Sequence, residues 1–455
     1  MEEAVFPRNF LKSYPQAVRG EGCFVFTADG RRYLDASGGA AVVTIGHGVE
    51  EVARAMADQA ARLAFVHSSQ FHTATADKLA QRILALAPED MREGGRVFFT
   101  SGGSEAAETA IKLARQYWLE RGEKKRVRVI GRQQSYHGAT LGALNVSGNV
   151  RRREPFAPMV NEWGHVVPCF CYRCPLGLQY PECNVDCADE LERLLMRDGS
   201  VDVAAFIFEP VSGATLGAVP PPNGYVQRIA DICRRHGILL IADEVMSGMG
   251  RTGKPFAIEH WGVAPDMILV GKGIASGYAP LGAVIASGQV VQAIARGSGT
   301  LLHGFTYNAH PVAAAAGNAV LDYIERGNLF ARVEQAGREL HQALEPLKRY
   351  SVVGDVRGLG LLVGIEFVRD PKTREPYPAD ARVAYRIQDD ALEAGVMTYP
   401  IQGCADGERG DHILLAPPYI INSGMIQMIA SALDHAVSDL ERTRLAGMGG
   451  ASALV

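Results

Sequence analysis

Short apolar runs alternate with longer helical patterns along the middle of the chain, and each run ends in polar or glycine-rich residues. Such alternation predicts an α/β fold, in which crossover helices cover a mostly parallel sheet. Ligands of such sheets bind beyond the carboxyl ends of the strands. The predicted strands, whose ends form the candidate site, lie at 97–100, 127–130, 204–208, 239–242 and 267–270.

The pattern differs on either side of this central region. The first part of the chain predicts a small β-meander and one helix. After Asn328 the spacing predicts a long amphipathic helix at 329–349 and then a strand at 358–366. We therefore expect two domains, a large one that binds the ligand and a smaller α+β domain built from both ends of the chain. Their predicted segments are 66–328 for the large domain, and 1–65 and 329–455 for the small one.

Charge and hydropathy limit the classes of partner. The 46 Lys and Arg residues nearly balance the 50 Asp and Glu residues, and no block of one sign stands out, which argues against nucleic acid. No apolar run approaches the length that spans a bilayer, and Met1–Lys12 has no signal-peptide core. We expect a cytoplasmic protein that acts on small molecules and contacts no membrane.

Five of the eight cysteines fall in one short stretch, and two interpretations remain open. Four thiolates with C-x2-C and C-x3-C spacing could hold a structural zinc ion, or the stretch could be a loop of free thiols. Because the second pair departs from the usual ribbon spacing, we assign no metal. The five are Cys169, Cys171, Cys174, Cys183 and Cys187.

A glycine-rich turn at 100–106 joins a predicted strand to a predicted helix. The free amides at the start of a helix favour an anion, and glycine lets the backbone approach it, so this turn could hold a phosphate. An ordinary helix cap is the simpler alternative. The glycines at 248–253 open no clear helix and no complete P-loop occurs, which disfavours the common nucleotide sites.

Lys272 stands between two glycines at the end of a predicted strand. A partly desolvated lysine has a lowered pKa and can form a Schiff base with an aldehyde. Asp243 ends another strand, where its carboxylate could stay ionised opposite a protonated ring nitrogen, the partner of a pyridoxal ring. A solvated lysine and a helix-capping aspartate are the simpler alternatives.

These residues belong to six motifs in which the chain resembles the class III aminotransferases, pyridoxal-phosphate enzymes of fold type I. The resemblance spans nearly the whole chain and implies a mostly parallel, seven-stranded type of sheet in the large domain. The chain looks most like the ω-amine or amine:pyruvate aminotransferases. The motifs are Ser-Gly-Gly-Ser-Glu-Ala (101–106), Tyr-His-Gly (136–138), Glu-Pro (209–210), Asp-Glu-Val (243–245) with Gly-x-Gly-Arg-Thr-Gly (248–253), Gly-Lys-Gly (271–273), and His-Gly-Phe-Thr-Tyr (303–307) followed by His-Pro (310–311).

The resemblance implies roles at the cofactor, pyridoxal 5'-phosphate. Lys272 would carry the Schiff base and move the proton, and Asp243 would pair with the pyridine nitrogen. Tyr136 and Val245 would cover the two ring faces. Thr306 would reach the phosphate of the neighbouring subunit, which implies a homodimer with active sites at the subunit interface. The implied cofactor-binding residues are Gly103, Ser104, Tyr136, His137, Glu209, Asp243, Val245, Lys272 and Thr306.

Three positions bear on the substrate. Relatives that use ornithine or similar substrates resemble one another in an arginine shortly before a paired proline, which grips a carboxylate; this chain has Leu414 there. Amine:pyruvate enzymes use a mobile arginine instead, for which Arg409 is the candidate, although it lies two residues from the matching position and a solvated arginine is an equal alternative. The small Ala41 predicts room for a bulky amine.

The sequence therefore predicts an aminotransferase that moves an amino group from an ω-amine or ω-amino acid to a keto acid, with pyruvate as the expected acceptor. Class III racemases, aminomutases and decarboxylases share the scaffold and remain the alternative. A binding protein that had only kept the fold should have lost Lys272, Asp243 or the phosphate turn, and this chain retains all three.

Overall fold

A seven-stranded sheet forms the centre of the protein in a computed structural model, which describes residues 4–451 and the side chains of residues 4–444. Its strands belong to a larger set that is numbered along the chain. The strands are β1 (Ala17–Glu21), β2 (Phe24–Thr27), β3 (Arg32–Asp35), β4 (Arg96–Thr100), β5 (Arg128–Arg132), β6 (His165–Val166), β7 (Val203–Phe208), β8 (Leu239–Asp243), β9 (Met267–Val270), β10 (Gly282–Ala286), β11 (Val353–Leu359), β12 (Leu362–Phe367), β13 (Val396–Met397), β14 (Tyr399–Gln402) and β15 (Asp411–Leu415).

Helices cover this sheet and link its strands. The α-helices are α1 (Gly38–Ala41), α2 (Glu50–Arg62), α3 (Ala74–Leu86), α4 (Glu89–Arg92), α5 (Gly103–Glu120), α6 (Leu141–Val146), α7 (Val150–Arg153), α8 (Asp186–Asp198), α9 (Tyr225–His236), α10 (Gly288–Arg296), α11 (Pro311–Arg326), α12 (Leu329–Leu344), α13 (Val383–Glu393) and α14 (Ser423–Ala451). Short 3-10 turns lie at Glu154–Met159, Cys171–Arg173, Ala257–Trp261, Lys272–Ile274, Glu345–Arg349 and Ala379–Ala381.

The strand order of the central sheet is β4-β10-β9-β8-β7-β5-β6. Only β10 runs antiparallel to its neighbours, so β4 and β9 on either side of it point the same way as the remaining strands. The predicted α/β fold with a mostly parallel sheet is therefore confirmed. Because the carboxyl ends of all the parallel strands share one edge, the residues that follow them converge there.

Strand β7 shows why these residues form a central strand. All six of its residues are buried, as expected for a strand covered by helices on both faces. Phe206 and Phe208 pack into the core on one face, whereas Ala205 and Ile207 pack with α5 into the core on the other. Because successive side chains of a strand point to opposite faces of the sheet, β7 contributes to two separate cores.

A third core joins the two ends of the chain. Leu34 from the first sheet (β1-β2-β3-β13) packs in the same cluster as Val363 and Ile413 from the last sheet (β11-β12-β15-β14) and Ile429 from α14. This cluster fits the expected α+β region built from both ends. The domain limits at residues 65 and 328 stay a prediction, and residues 1–3 and 452–455 of the predicted segments lie outside the described chain.

Two predicted elements were wrong in detail. The single strand predicted at 358–366 is a hairpin, in which β11 pairs with β12 across a two-residue turn and Gly360 adopts a φ of 59°. Glycine tolerates that left-handed backbone, which turns the chain. The helix predicted at 329–349 ends at Leu344 and continues as a 3-10 turn that contains Pro346, because proline cannot donate an amide hydrogen bond to a helix.

Across residues 4–451, we find no helix whose length and apolar character would suit a bilayer crossing.

Candidate active site

The candidate site lies at the carboxyl edge of the central sheet. The glycine-rich turn follows β4, Asp243 is the last residue of β8, and Lys272 follows β9 after a single glycine. Because the carboxyl ends of parallel strands lie at the same edge of a sheet, these three parts of the site come together although they are far apart in the sequence.

Lys272 occupies a strained position at this edge. Its φ of 45° places a non-glycine residue in the left-handed region, which costs on the order of 1–3 kcal/mol. Burial lowers the pKa of Lys272 to about 8, although the nearby carboxylates of Asp243 and Glu209 act in the opposite direction. A lysine with this pKa has an appreciable neutral fraction near neutral pH, and only the neutral amine is a nucleophile.

Asp243 is held by two donors in a buried setting. The imidazole Nδ1 of His137 donates to its Oδ2 over 2.7 Å, and the amide of Val245 donates to its Oδ1 over 3.0 Å. The side chains of Asp243 and His137 are 5% and 0% exposed. These two hydrogen bonds fix the orientation of the Asp243 carboxylate at the end of β8.

Glu209, which follows β7, ties the neighbouring segments together. Its carboxylate accepts hydrogen bonds from the amide of Tyr136 at 3.4 Å and from the amide of Gly213 at 3.2 Å. Its backbone carbonyl accepts a bond of 2.6 Å from the buried guanidinium of Arg132. Burial raises the pKa of Glu209, and the charge of His137 opposes that rise. Glu209 therefore fixes the turn that carries Tyr136.

The glycine-rich turn places the start of α5 at the same edge. Gly103 is the first residue of this helix, and Ser104 accepts a hydrogen bond of 3.0 Å from the amide of Ala139. A Cβ atom on Gly103 would lie 2.8 Å from a methyl group of Val245, whereas one on Gly102 would meet open space. The positive end of an 18-residue helix thus faces an open cradle that suits an anion.

The predicted substrate residues do not form one cluster. Ala41 and Leu414 are 2% and 1% exposed and belong to the same hydrophobic core. Arg409 is exposed, and its guanidinium pairs with Asp406 three residues earlier at 2.7 Å. Thr306 is also exposed, in a turn between α10 and α11. Most of the predicted cofactor residues therefore lie together at the edge of the sheet, whereas the three predicted substrate residues do not lie together.

Sequence reasoning missed two partners at this site. The His137–Asp243 hydrogen bond joins residues 106 positions apart, and no local pattern predicts it. Arg152 places its guanidinium 4.2 Å from the ring centre of Tyr136. The run of three arginines at 151–153 was the available signal, but it does not show which of the three faces the ring.

The cysteine-rich stretch contains free thiols. All eight cysteines are unpaired, and burial raises the pKa of Cys171 to about 11, with a further rise from the nearby thiols. Cys169 is buried and accepts a bond of 3.4 Å from Arg132. In the described residues no three His, Cys, Asp or Glu side chains are arranged to hold a metal ion.

Comparison with known proteins gives one consistent result. The model of the aminotransferase class-III family matches residues 7–437. An uncharacterized aminotransferase of Bacillus subtilis, YodT, is 38% identical over 94% of this chain and 96% of its own length. An omega-aminotransferase of Caulobacter vibrioides is 34% identical over 96% of both chains. An amine transaminase from an uncultivated Pseudomonas species, solved with pyridoxal phosphate bound, superposes with a TM-score of 0.89 at 36% identity over 96% of this chain and 98% of its own.

Proposed function

The chain belongs to the class III aminotransferase family, and we propose that it moves an amino group from an ω-amine or ω-amino acid to pyruvate. As a class III enzyme it is a pyridoxal-phosphate-dependent transaminase, which uses an amine donor and a keto-acid acceptor. The similarity to an omega-aminotransferase favours this donor class. Class III racemases, aminomutases and decarboxylases are not favoured by the comparisons.

The residues at the sheet edge suit pyridoxal phosphate. The cofactor carries a phosphate, a ring nitrogen that is protonated when it works, and an aldehyde. The open start of α5 suits the first, buried Asp243 suits the second, and Lys272 with its lowered pKa suits the third. When bound, pyridoxal phosphate supplies an electron sink for the charge left when a proton departs from the donor carbon.

Each residue then has a defined task. We assign Gly103 and Ser104 to the phosphate, and Tyr136 and Val245 to the two faces of the ring. Asp243 keeps the ring nitrogen protonated, His137 and Glu209 hold Asp243 and Tyr136 in place, and Lys272 carries the proton at its Nζ. These assignments are supported by the hydrogen bonds that connect Glu209 with Tyr136 and connect Asp243 with His137 and Val245. His137 and Glu209 are therefore proposed as the residues that position Asp243 and Tyr136.

The observation that supports pyruvate as the acceptor is the exposed ion pair that Arg409 forms with Asp406. Leu414 is buried in β15 and offers no cation, whereas the guanidinium of Arg409 pairs, among the described side chains, only with the exposed Asp406 on its own loop. An exposed pair of this kind contributes about 0.2–1 kcal/mol, so a substrate carboxylate can replace Asp406 at little cost. We therefore assign Arg409 to the carboxylate of pyruvate.

We propose a homodimer in which Thr306 contributes to the partner's phosphate site. Thr306 lies within a face that exposes several large apolar side chains, which is typical of a protein interface. Phe65 and Tyr307 pack edge to face within it, with ring centres 5.8 Å apart. The chain segments that carry Phe65 and Tyr307 expose further large apolar side chains, at Leu63, Phe71 and Leu302. The free cysteines support a location in the reducing cytoplasm.

A donor half-reaction tests the proposed function. The purified protein, loaded with pyridoxal phosphate, is mixed with single amines and amino acids in the absence of any keto acid, and the cofactor absorption band is followed. Conversion to the pyridoxamine form by ω-amines or ω-amino acids, followed by recovery with pyruvate, is expected. Recovery with 2-oxoglutarate but not with pyruvate would contradict the proposed acceptor. A band that no donor converts would contradict transamination.

A further inference from the structure

Three consecutive arginines, at 151–153, lie on one turn of helix beside the site, and each points to a different place. Helix α7 is capped by Asn149, whose side chain accepts a hydrogen bond from the amide of Arg152. Arg151 donates to Gln402 at 3.3 Å, and Arg153 donates to Glu162 at 3.2 Å. Arg152 alone stacks on the ring of Tyr136, with its guanidinium carbon 4.2 Å from the ring centre. The capped turn therefore directs one cation of the three toward the site.

Arg152 also differs from Arg153 and Arg409 in its electrostatic setting. Arg153 and Arg409 each pair with a carboxylate, whereas no ion pair among the described side chains involves Arg152. Burial lowers the pKa of Lys272, and the positive charge of Arg152 adds a smaller lowering effect. A half-buried cation that lies within electrostatic range of the reactive lysine, without an acidic partner, is a ready site for a substrate anion.

The guanidinium carbon of Arg152 lies over the ring of Tyr136, and among the described residues no hydrogen bond uses the guanidinium N–H groups of Arg152. A guanidinium that stacks on an aromatic face uses its π surface, and its N–H groups remain in the plane of the fork. That fork matches a carboxylate in a bidentate manner. Tyr136 therefore holds the guanidinium without using up its donors.

We propose that Arg152 is a specificity residue that binds the distal carboxylate of an ω-amino-acid donor, whose amine reacts at Lys272. The inference rests on the proposed function and narrows its donor class to amines that carry a carboxylate at the far end. It also divides the work between two arginines. Arg409 receives the carboxylate of the keto acid, and Arg152 receives the carboxylate of the donor.

The test compares donors that differ only in the carboxylate. β-Alanine is paired with n-propylamine, and 4-aminobutyrate with n-butylamine, in the half-reaction of the holoenzyme and its variants. In Arg152→Gln we expect kcat/KM to fall about 10–100-fold for the two amino acids, as for the loss of a charge-assisted hydrogen bond, with a change below about threefold for the alkylamines. Arg152→Lys keeps the charge and loses the fork, so it should recover part of the activity.

Two further variants separate this role from a structural one. Arg151→Gln changes the preceding residue of the same turn and should leave the ratio of amino acid to alkylamine activity as in the wild type. Arg409→Gln should raise KM for pyruvate, whereas Arg152→Gln should leave that KM within about threefold and should weaken competitive inhibition by butyrate.

The possible results distinguish failure of the inference from failure of the proposed function. A wild type that converts none of the four donors contradicts the proposed function. A wild type that is active, with Arg152→Gln impaired equally on both members of each pair, shows that Arg152 acts only through Tyr136 and overturns the inference. An unchanged Arg152→Gln variant overturns it as well.

Discussion

The carboxyl edge of the central sheet and the loop at residues 403–410 hold their charged groups in opposite ways. At the sheet edge, Asp243 has a side chain that is 5% exposed, and it bonds to His137 from a distant segment and to the amide of Val245 two residues later. In the loop, Arg409 has a side chain that is 54% exposed, and within the described part of the chain it forms an ion pair only with Asp406 on the same loop. The sheet fixes the chemistry through buried contacts that cross the fold, whereas the loop presents an arginine that can exchange partners.

This difference indicates which parts of such an enzyme can tolerate substitutions. Removing one partner of a buried, hydrogen-bonded carboxylate lowers the stability of the folded state by several kcal/mol, whereas removing one partner of an exposed ion pair lowers it little. We therefore expect changes at the sheet edge to abolish the reaction, and changes on the substrate side to alter the choice of substrate. Four experiments test this contrast, in order of decreasing expected effect.

Replacing Lys272 by alanine should have the largest effect. The variant loses both the nucleophile and the group that moves the proton, so we expect the half-reaction rate to fall about 10³-fold or more. Stopped-flow absorption with an excess of donor measures this rate. Lys254→Ala, which changes an exposed lysine, is the control and should react normally. Turnover by Lys272→Ala near the wild-type rate would contradict the assignment of Lys272.

Replacing Asp243 by asparagine should cost about 10²-fold in the same rate. The substitution keeps the shape but removes the charge opposite the ring nitrogen, and it leaves His137 without its anionic partner. Weaker retention of pyridoxal phosphate during dialysis should accompany the loss.

The matched control for this variant is Asp266→Asn, because Asp266 is a half-buried aspartate just before β9, whose carboxylate accepts a hydrogen bond from the amide of Leu240 in β8. We expect that variant to lose thermal stability while its folded fraction keeps normal activity. Equal losses of activity in both variants would mean that burial, rather than position, decides the effect.

The lowered pKa of Lys272 predicts a pH dependence for cofactor attachment. Burial lowers this pKa from 10.5 to about 8, so the amine is mostly protonated below pH 8 and mostly neutral above it. The rate at which the apo protein takes up pyridoxal phosphate should therefore rise about tenfold per pH unit up to pH about 8 and then level off. If the uptake rate keeps rising up to pH 10, the pKa of Lys272 is not lowered and the prediction is wrong.

The smallest effect is expected from Ala41→Trp. Ala41 is buried with a φ of 59°, and by the prediction that this small residue leaves room for a bulky amine, a large ring there would fill the space that such an amine requires. We expect kcat/KM for an arylalkylamine to fall about 10-fold more than that for ethylamine. Melting curves control for loss of folding. Equal loss on both amines would place Ala41 away from the pocket.

Much of this molecule followed from the sequence, and the reasons are local. The parallel sheet was predictable because each buried strand is a short continuous apolar run, as in β7 and β9. The positions of Lys272 and Asp243 followed because both come at strand ends, which parallel packing gathers at one edge.

What the sequence did not predict depends on contacts between distant segments. The bond from His137 to Asp243 spans 106 positions, and the direction of Arg152 is decided by the cap at Asn149 and by the turn at 136–139. The hairpin at β11–β12 was missed because its turn is formed by a single left-handed glycine inside an apolar run. Side-chain direction and turn conformation arise from tertiary packing, which a linear pattern does not contain.

The contacts of Val245 have an evolutionary consequence. Its methyl groups occupy the space beside two glycines, since a Cβ on Gly103 would lie 2.8 Å from it and a Cβ on Gly271 would lie 3.2 Å from it. Any side chain at Gly103 requires a smaller residue at 245, and enlarging residue 245 would push the start of α5 away from the strand that carries Lys272. The three positions are therefore constrained to change together. A lineage that changes one of them first must pass through a weakened enzyme.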